Sequence, residues 1–210
     1  MSNSKFQFNI KKTSGKARLG EIKTAHGTIK TPAFMPVGTC ASVKAIKNSD
    51  IEKSNSDIIL GNTYHLMLRP GEDLIAQMGG LHKFMNWNKP ILTDSGGFQV
   101  MSLSKIRKID DNGATFSSHI DGKKILLTPE YSMEIQHKLG SDITMIFDEC
   151  IHYPATHEEA EIAMERSLKW AQRSKNAYIK RDGYGLFGIV QGGVYEDLRK
   201  KSAQELINIE

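Results

Sequence analysis

Asp94 and Ser95 lie in the stretch Thr93-Asp94-Ser95-Gly96-Gly97-Phe98-Gln99, where a carboxylate, a hydroxyl and an amide side chain fall within six residues. Together they supply donors and acceptors for a polar ring, and the two glycines let the backbone approach a ligand closely. The turn follows Pro90-Ile91-Leu92, a short apolar run that reads as a buried strand, so the carboxylate stands at a strand end. The same residue types also make an ordinary helix cap after a turn, which is the better reading of this stretch alone. Recurrence shifts the balance. Ile143 to Phe147 ends in Asp148-Glu149-Cys150, and Leu186 to Val190 ends in Gln191-Gly192-Gly193. Asp57-Ile58-Ile59-Leu60 leads into Gly61-Asn62-Thr63-Tyr64-His65. A weaker run, Ala33 to Gly38, precedes Thr39 and Cys40, and its Pro36 limits ladder pairing.

These residues need elements to hold them. Continuous apolar runs imply strands covered on both faces, and helical patterns between most of them imply βαβ units with a parallel sheet. Polar residues then gather at the strand C-terminal ends, the rim where active sites form in a TIM-type barrel. Ahead of the barrel, alternation from Phe6 to Ile29, broken by Gly15, Gly20 and Gly27, predicts an antiparallel β element covering one barrel end. Asp111-Asn112-Gly113 and Asp121-Gly122 bracket Thr115 to Ile120 as a hairpin before a helix near Pro129 to Leu139. That hairpin is either a loop closing over substrate or a plain surface excursion. Thr156 and Glu159 form a capping box for a helix running toward Tyr178, with Ala160, Ala163, Met164, Ser167, Leu168 and Ala171 inward. Arg166, Lys169, Arg173 and Lys180 line its outer face, which could track a phosphate backbone; a solvated face is the commoner explanation.

Composition bounds the class. The 210 residues suffice for a sizeable core and suit one domain, and a charged fraction of 25% argues against a disordered tail. No apolar stretch has signal-peptide character and no run approaches a membrane span, so a cytoplasmic location without a membrane partner is expected. Cys40 and Cys150 are far apart and form no Cys/His cluster, so neither a metal site nor a disulfide framework is expected in this segment. A net charge of +4 permits a nucleic-acid partner without demanding one.

The chain closely resembles the tRNA-guanine transglycosylase family in its bacterial form. The resemblance rests on Thr31 to Thr39, Leu60-Gly61-Asn62-Thr63-Tyr64-His65-Leu66, Arg69-Pro70-Gly71, the Asp94 turn, Ser118 to Gly122, Phe147-Asp148-Glu149-Cys150 and Gly188 to Gly193. One such motif is weak; this many in family order are specific. The resemblance implies a base exchange in the tRNA anticodon. Wobble guanine is removed and a 7-aminomethyl-7-deazaguanine installed, in queuosine biosynthesis, through covalent attack of an aspartate on the ribose C1′. The target nucleotide must leave its stack, at a cost of a few kcal/mol.

Residue by residue, the resemblance implies that Asp148 and Gln191 hydrogen-bond the purine edge with help from the glycine N–H of Gly192. Asp94 is the catalytic residue, deprotonating or orienting rather than attacking, and lies with Ser95 at the floor of the pocket. Phe98 stacks on the base, worth on the order of 1–3 kcal/mol, although ordinary core packing fits its spacing equally. Cys150 narrows the pocket toward the small aminomethyl base; a cysteine is otherwise a routine small core residue.

The ending, Leu206 to Glu210, falls where the family would begin its sixth barrel strand. The expected fold is therefore an incomplete (β/α)8 barrel of about the first five strands, with residues 1–210 as one catalytic domain truncated before the sixth strand. The family's nucleophilic aspartate, and its structural zinc held by three cysteines and one histidine, map onto no residue here. Partners implied are tRNA, guanine or the deazaguanine, a complementary C-terminal chain, and a homodimer in the full-length family. Two classes stay open: a transglycosylase represented by a fragment or split half that is inactive alone, or a non-catalytic remnant that binds base or tRNA.

Overall fold

A computed structural model of the protein describes residues 6–103 and 107–209; Glu210, the last residue of the expected family match, lies outside them. The chain opens with β1 (Gln7–Ser14), β2 (Ala17–Thr24) and β3 (Gly27–Thr31), paired antiparallel in that order as the broken alternation predicts. There follow β4 (Val37–Gly38), α1 (Asn48–Lys53), β5 (Ile59–Gly61), α2 (Thr63–Leu68), α3 (Glu72–Gln77), α4 (Leu81–Met85) and β6 (Ile91–Thr93). Beyond Asp94 come α5 (Gly97–Leu103), β7 (Arg107–Asp110), β8 (Gly113–Ser117), β9 (Lys124–Leu127) and α6 (Pro129–Leu139). The last elements are β10 (Ile143–Met145), α7 (His157–Ala177), β11 (Gly185–Phe187) and α8 (Glu196–Ile209).

The apolar runs become short strands of one sheet, ordered β4-β5-β6-β10-β11. Its registers run parallel, setting Gly38 opposite Gly61, Gly61 opposite Thr93 and Thr93 opposite Thr144. Helices intervene between successive strands, the βαβ alternation that a parallel pair requires. At β4 the ladder is short. Pro36 contributes only its carbonyl, accepting from the Leu60 N–H at 3.0 Å, because proline has no N–H to return.

The chain divides into two compact units. The first comprises Met1–Asp94, Gln136–Thr144 and Ile179–Gly185; the second comprises Ser95–Ile135, Met145–Tyr178 and Leu186–Glu210. In the first unit Ile58, Ile59, Tyr64, Leu66, Ile75, Leu81, Trp87 and Ile91 are buried. Its polar centre is Asp142, just before β10 and itself buried. The carboxylate takes N–H bonds from the Ile91 backbone (2.9 Å) and the His26 backbone (3.2 Å), and contacts His26 Nδ1 at 2.8 Å and His82 Nε2 at 3.0 Å. These donors hold its pKa well below the ordinary carboxylate value despite the opposing effect of burial. An ionised carboxylate only accepts, so both facing ring nitrogens carry the hydrogen. Asp142 thereby ties the β2–β3 turn, which carries His26, and α4, which carries His82, to β6.

In the second unit, Phe116, Leu127, Met133, Ile146, Phe147, Met164, Trp170 and Leu198 are buried. The bracketed hairpin forms as β7 and β8, but the chain adds a third strand, β9, paired antiparallel to β8. The Thr156–Glu159 capping box is present, and α7 ends at Ala177 with Tyr178 as its cap. Its inward stripe differs from the expected one: Trp170 and Ser174 are buried, whereas Leu168 is only partly so. Trp170 stacks on Phe147 with centroids 4.8 Å apart.

The outer basic line is ion-paired within the chain. Arg166 pairs with Glu149, Lys169 with Asp111 at 3.2 Å and Arg173 with Glu130 at 2.7 Å, while Lys180 lies beyond the helix. Acidic neighbours within the chain pair with the first three of these cations, on a face where Lys169 stays exposed, which fits the solvated-face reading. Exposed pairs such as Lys169–Asp111 contribute little to stability.

Asp142→Asn should lower stability by about 3 kcal/mol at neutral pH, since it removes the charge that answers several buried donors. A depressed carboxyl pKa contributes stability above the unfolded-chain value and loses it as pH falls toward the folded value. The gap in melting temperature between wild type and Asp142→Asn should therefore be full at pH 7 and narrow below about pH 4. Thermal denaturation across that range checks it.

Candidate functional site

A carboxylate taken out of water needs donors. Asp148 is 7% exposed, and it has them: the Ser95 hydroxyl donates to Oδ1 at 2.6 Å and the Gln191 side-chain amide to Oδ2 at 2.7 Å. All three belong to the second unit. Three segments nearly 100 residues apart in sequence, from Ser95 to Gln191, therefore meet on one carboxylate, and the sequence had singled out each as the polar end of an apolar run.

Buried serines fix the backbone under each of these groups. Ser132 on α6 donates to the Ser95 carbonyl (2.9 Å). Ser202 on α8 accepts the Gln191 N–H (3.0 Å). From α7, Ser174 accepts the Phe147 N–H (3.1 Å) and Ser167 the Glu149 N–H (2.9 Å), so Asp148 is gripped on both sides. A hydroxyl can serve as donor or acceptor and is small enough to sit in a packed interior, which suits such junctions. Sequence reasoning placed only Ser167 inward and missed the others, because a small polar residue, in two cases beside charged ones such as Arg173 and Lys201, reads as solvent-facing.

Two glycines are demanded by close approach. A Cβ on Gly97 would lie 2.3 Å from the Asp148 carbonyl oxygen, so only glycine lets α5 begin there. Gly192, at φ +114°, would meet the Leu198–Arg199 backbone at 2.8 Å, so it lets Gln191 run tightly beside α8. Ser95 Oγ also accepts the Gly97 N–H at 3.1 Å. Ser95 thus closes the turn just ahead of α5, whose N-cap position falls on Gly96, and this bond does not compete with its bond to Asp148.

Phe98 is 57% exposed on α5, which removes core packing as its explanation. Cys150 is half-buried, its thiol pKa pushed up by burial and then by the Asp148 charge, so it is a neutral thiol and a poor nucleophile. It lines a cleft of about 240 Å³ with Ile109, Glu149, His152 and Ile162.

Asp94 belongs to the first unit, at the end of β6. Its Oδ1 accepts the Thr63 N–H at 2.9 Å, its Oδ2 the Asn62 amide, and its carbonyl the Thr63 hydroxyl at 2.6 Å. The residues after β5 thereby orient the catalytic candidate, a role that the Asn62-Thr63 motif did not disclose.

A cavity of about 850 Å³ lies elsewhere in the first unit, lined by Phe34, Val37, Ile46, Asp57 and Lys89 among others and by none of these candidates. Among the described residues, His26, His82 and Asp142 also come within metal-ligand reach of one another. Yet the two rings stack at 3.6 Å with only 19° between their planes. No point near both nitrogens lies in both ring planes, as two imidazole lone pairs would require, so the cluster serves as a hydrogen-bonded clamp. Among the described residues no helix is long and apolar enough to cross a membrane.

Comparison with known proteins matches residues 12–210 to the family model described as queuine tRNA-ribosyltransferase. Proteins of that name from Rickettsia felis and from Rickettsia bellii strain RML369-C are 63% and 62% identical to this chain over 207 residues. The one from Rickettsia canadensis is 59% identical over the same length. Each alignment covers 99% of this chain, and the chain spans 57–58% of the length of these relatives. With the family model matching nearly its whole length, the chain belongs to the queuine tRNA-ribosyltransferase family.

Proposed function

We propose that this chain carries the base-recognition part of a tRNA base exchange in which wobble guanine is replaced by 7-aminomethyl-7-deazaguanine. The observation that carries the reading is the buried Asp148 carboxylate, oriented by Ser95 and Gln191. Guanine presents N–H donors at its pyrimidine edge, which a carboxylate accepts, and a carbonyl oxygen that an amide donor can serve. The Gln191 amide, now on Asp148, would turn to that oxygen, with Gly192 beside it. The exposed ring of Phe98 would stack on the base once it is turned out of the tRNA. Cys150, neutral and half-buried, would act as a steric wall favouring a small 7-substituent.

Asp94 would orient or deprotonate at the reacting centre, its carboxylate held ready by Asn62 and Thr63. In this reading the nucleophile is a different aspartate, contributed by a part of the relatives that this chain does not span. The five sheet strands would be the first five of a (β/α)8 barrel, with tRNA, a complementary C-terminal chain and, for the full-length family, a second copy as partners. The family's structural zinc, with three cysteines and one histidine, does not fit this chain, which has two cysteines, one exposed and one against Asp148. No step here depends on it.

Asp148→Asn should weaken guanine binding by about 1–3 kcal/mol, because a donor would partly replace the acceptor facing the purine N–H groups. Equilibrium dialysis with labelled guanine checks this, and unchanged affinity would remove Asp148 from the base site. The purified chain alone should incorporate no labelled guanine into tRNA, since binding groups without the nucleophile cannot form the covalent intermediate. Turnover by the chain alone would overturn that division of labour and make Asp94 the first candidate nucleophile.

A further inference from the structure

One ion pair in the second unit is buried more deeply than any other that the basic line of α7 makes. Arg166 Nη1 bonds the Glu149 carboxylate, with the two side chains 20% and 13% exposed. Glu149 directly follows Asp148, and its own N–H is held by Ser167, the next residue of α7. Backbone and side chain of the residue after Asp148 are thus both gripped from one helical turn. The peptide that sets the direction of the Asp148 side chain has little freedom left.

The same guanidinium faces a second element. Its Nε lies 3.5 Å from Asp111 Oδ1 in the β7–β8 turn, a charge contact without a hydrogen bond. That turn is docked on α7 at further points: Lys169 on the Asp111 carboxylate, Trp170 Nε1 on the Asp111 carbonyl at 3.0 Å, and Arg173 on the Asp111 and Asn112 carbonyls at 2.6 and 3.1 Å. The line of cations, read from the sequence as a solvated face or, less commonly, a phosphate track, therefore has an internal task. It seats a hairpin turn, and Arg166 also reaches the segment carrying Asp148.

We infer that Arg166 is a positioning residue for base recognition: by holding Glu149 it fixes the Asp148 carboxylate, and through Asp111 it couples that carboxylate to the β7–β8 hairpin. The inference rests on the base-binding reading of Asp148. It implies that guanine affinity depends on residues that do not touch the base. A planar fork can serve Glu149 and Asp111 at once, whereas a lysine ammonium is a single point charge and cannot reproduce both contacts. Anything that displaces the hairpin turn would then loosen the purine site.

The test uses the 210-residue chain with two readouts, labelled-guanine affinity and hydrogen–deuterium exchange of the backbone amides at 147–150. Arg166→Gln should weaken guanine binding at least tenfold and speed exchange at 147–150. Arg166→Lys should fall between it and wild type. Where Arg166→Gln does not fold, Asp111→Asn serves. It keeps the backbone carbonyl bonds to Trp170 and Arg173, and should weaken guanine binding about threefold with faster exchange at 147–150 and an unchanged melting temperature. Wild-type affinity and wild-type exchange in folded Arg166→Gln, or in Asp111→Asn, would overturn the coupling. Absence of guanine binding by the wild-type chain would instead overturn the base-binding reading, while the exchange arm still decides whether Arg166 holds the Asp148 segment.

Discussion

The second unit is arranged around the cost of keeping Asp148 out of water. A carboxylate buried without partners would simply take up a proton, so the surrounding chain must bring donors to it and hold them there. Ser95 and Gln191 are those donors, and the serines of α6, α7 and α8 hold the three backbones that present them. Gly97 belongs to the same arrangement: it starts α5 two residues after Ser95, where a Cβ would lie 2.3 Å from the Asp148 carbonyl oxygen.

Strand β10 shows how one residue type serves opposite ends. Asp142 stands before it and Asp148 after it. Asp142 is met by backbone N–H groups and by stacked imidazoles fixed in a turn and a helix, which makes it a clamp. Asp148 is met by a hydroxyl and a terminal amide, side-chain groups that can rotate toward a bound molecule. If Asp148 serves the base as proposed, the division would match the TIM-barrel pattern, in which the N-terminal ends of strands favour stability and the C-terminal ends favour chemistry.

Much of this was legible in the sequence, for a physical reason. Strands buried on both faces must be continuous apolar runs, so β5, β6, β10 and β11 and their polar ends at Asn62, Asp94, Asp148 and Gln191 stood out. Turn and cap chemistry, local by nature, marked the β7–β8 turn, α6 and the start of α7. Long-range partnership was not legible. Nothing in the periodicity says that His26 answers Asp142, that Arg166 answers Glu149, or that Trp170 rather than Leu168 fills the interior; those depend on which elements the fold brings together. The basic line on α7 shows the risk most clearly, because regular spacing of cations is the same whether phosphate or an acidic turn lies opposite.

The account stands on Asp148 as the group that faces a purine edge. A crystal structure of the chain grown with guanine tests it most directly. The account predicts the base with its N–H edge on the Asp148 carboxylate and its carbonyl oxygen within hydrogen-bond distance of Gln191 or Gly192, against the ring of Phe98. Guanine seated instead in the cavity lined by Phe34 and Val37, with Asp148 still bonded only within the protein, would contradict it.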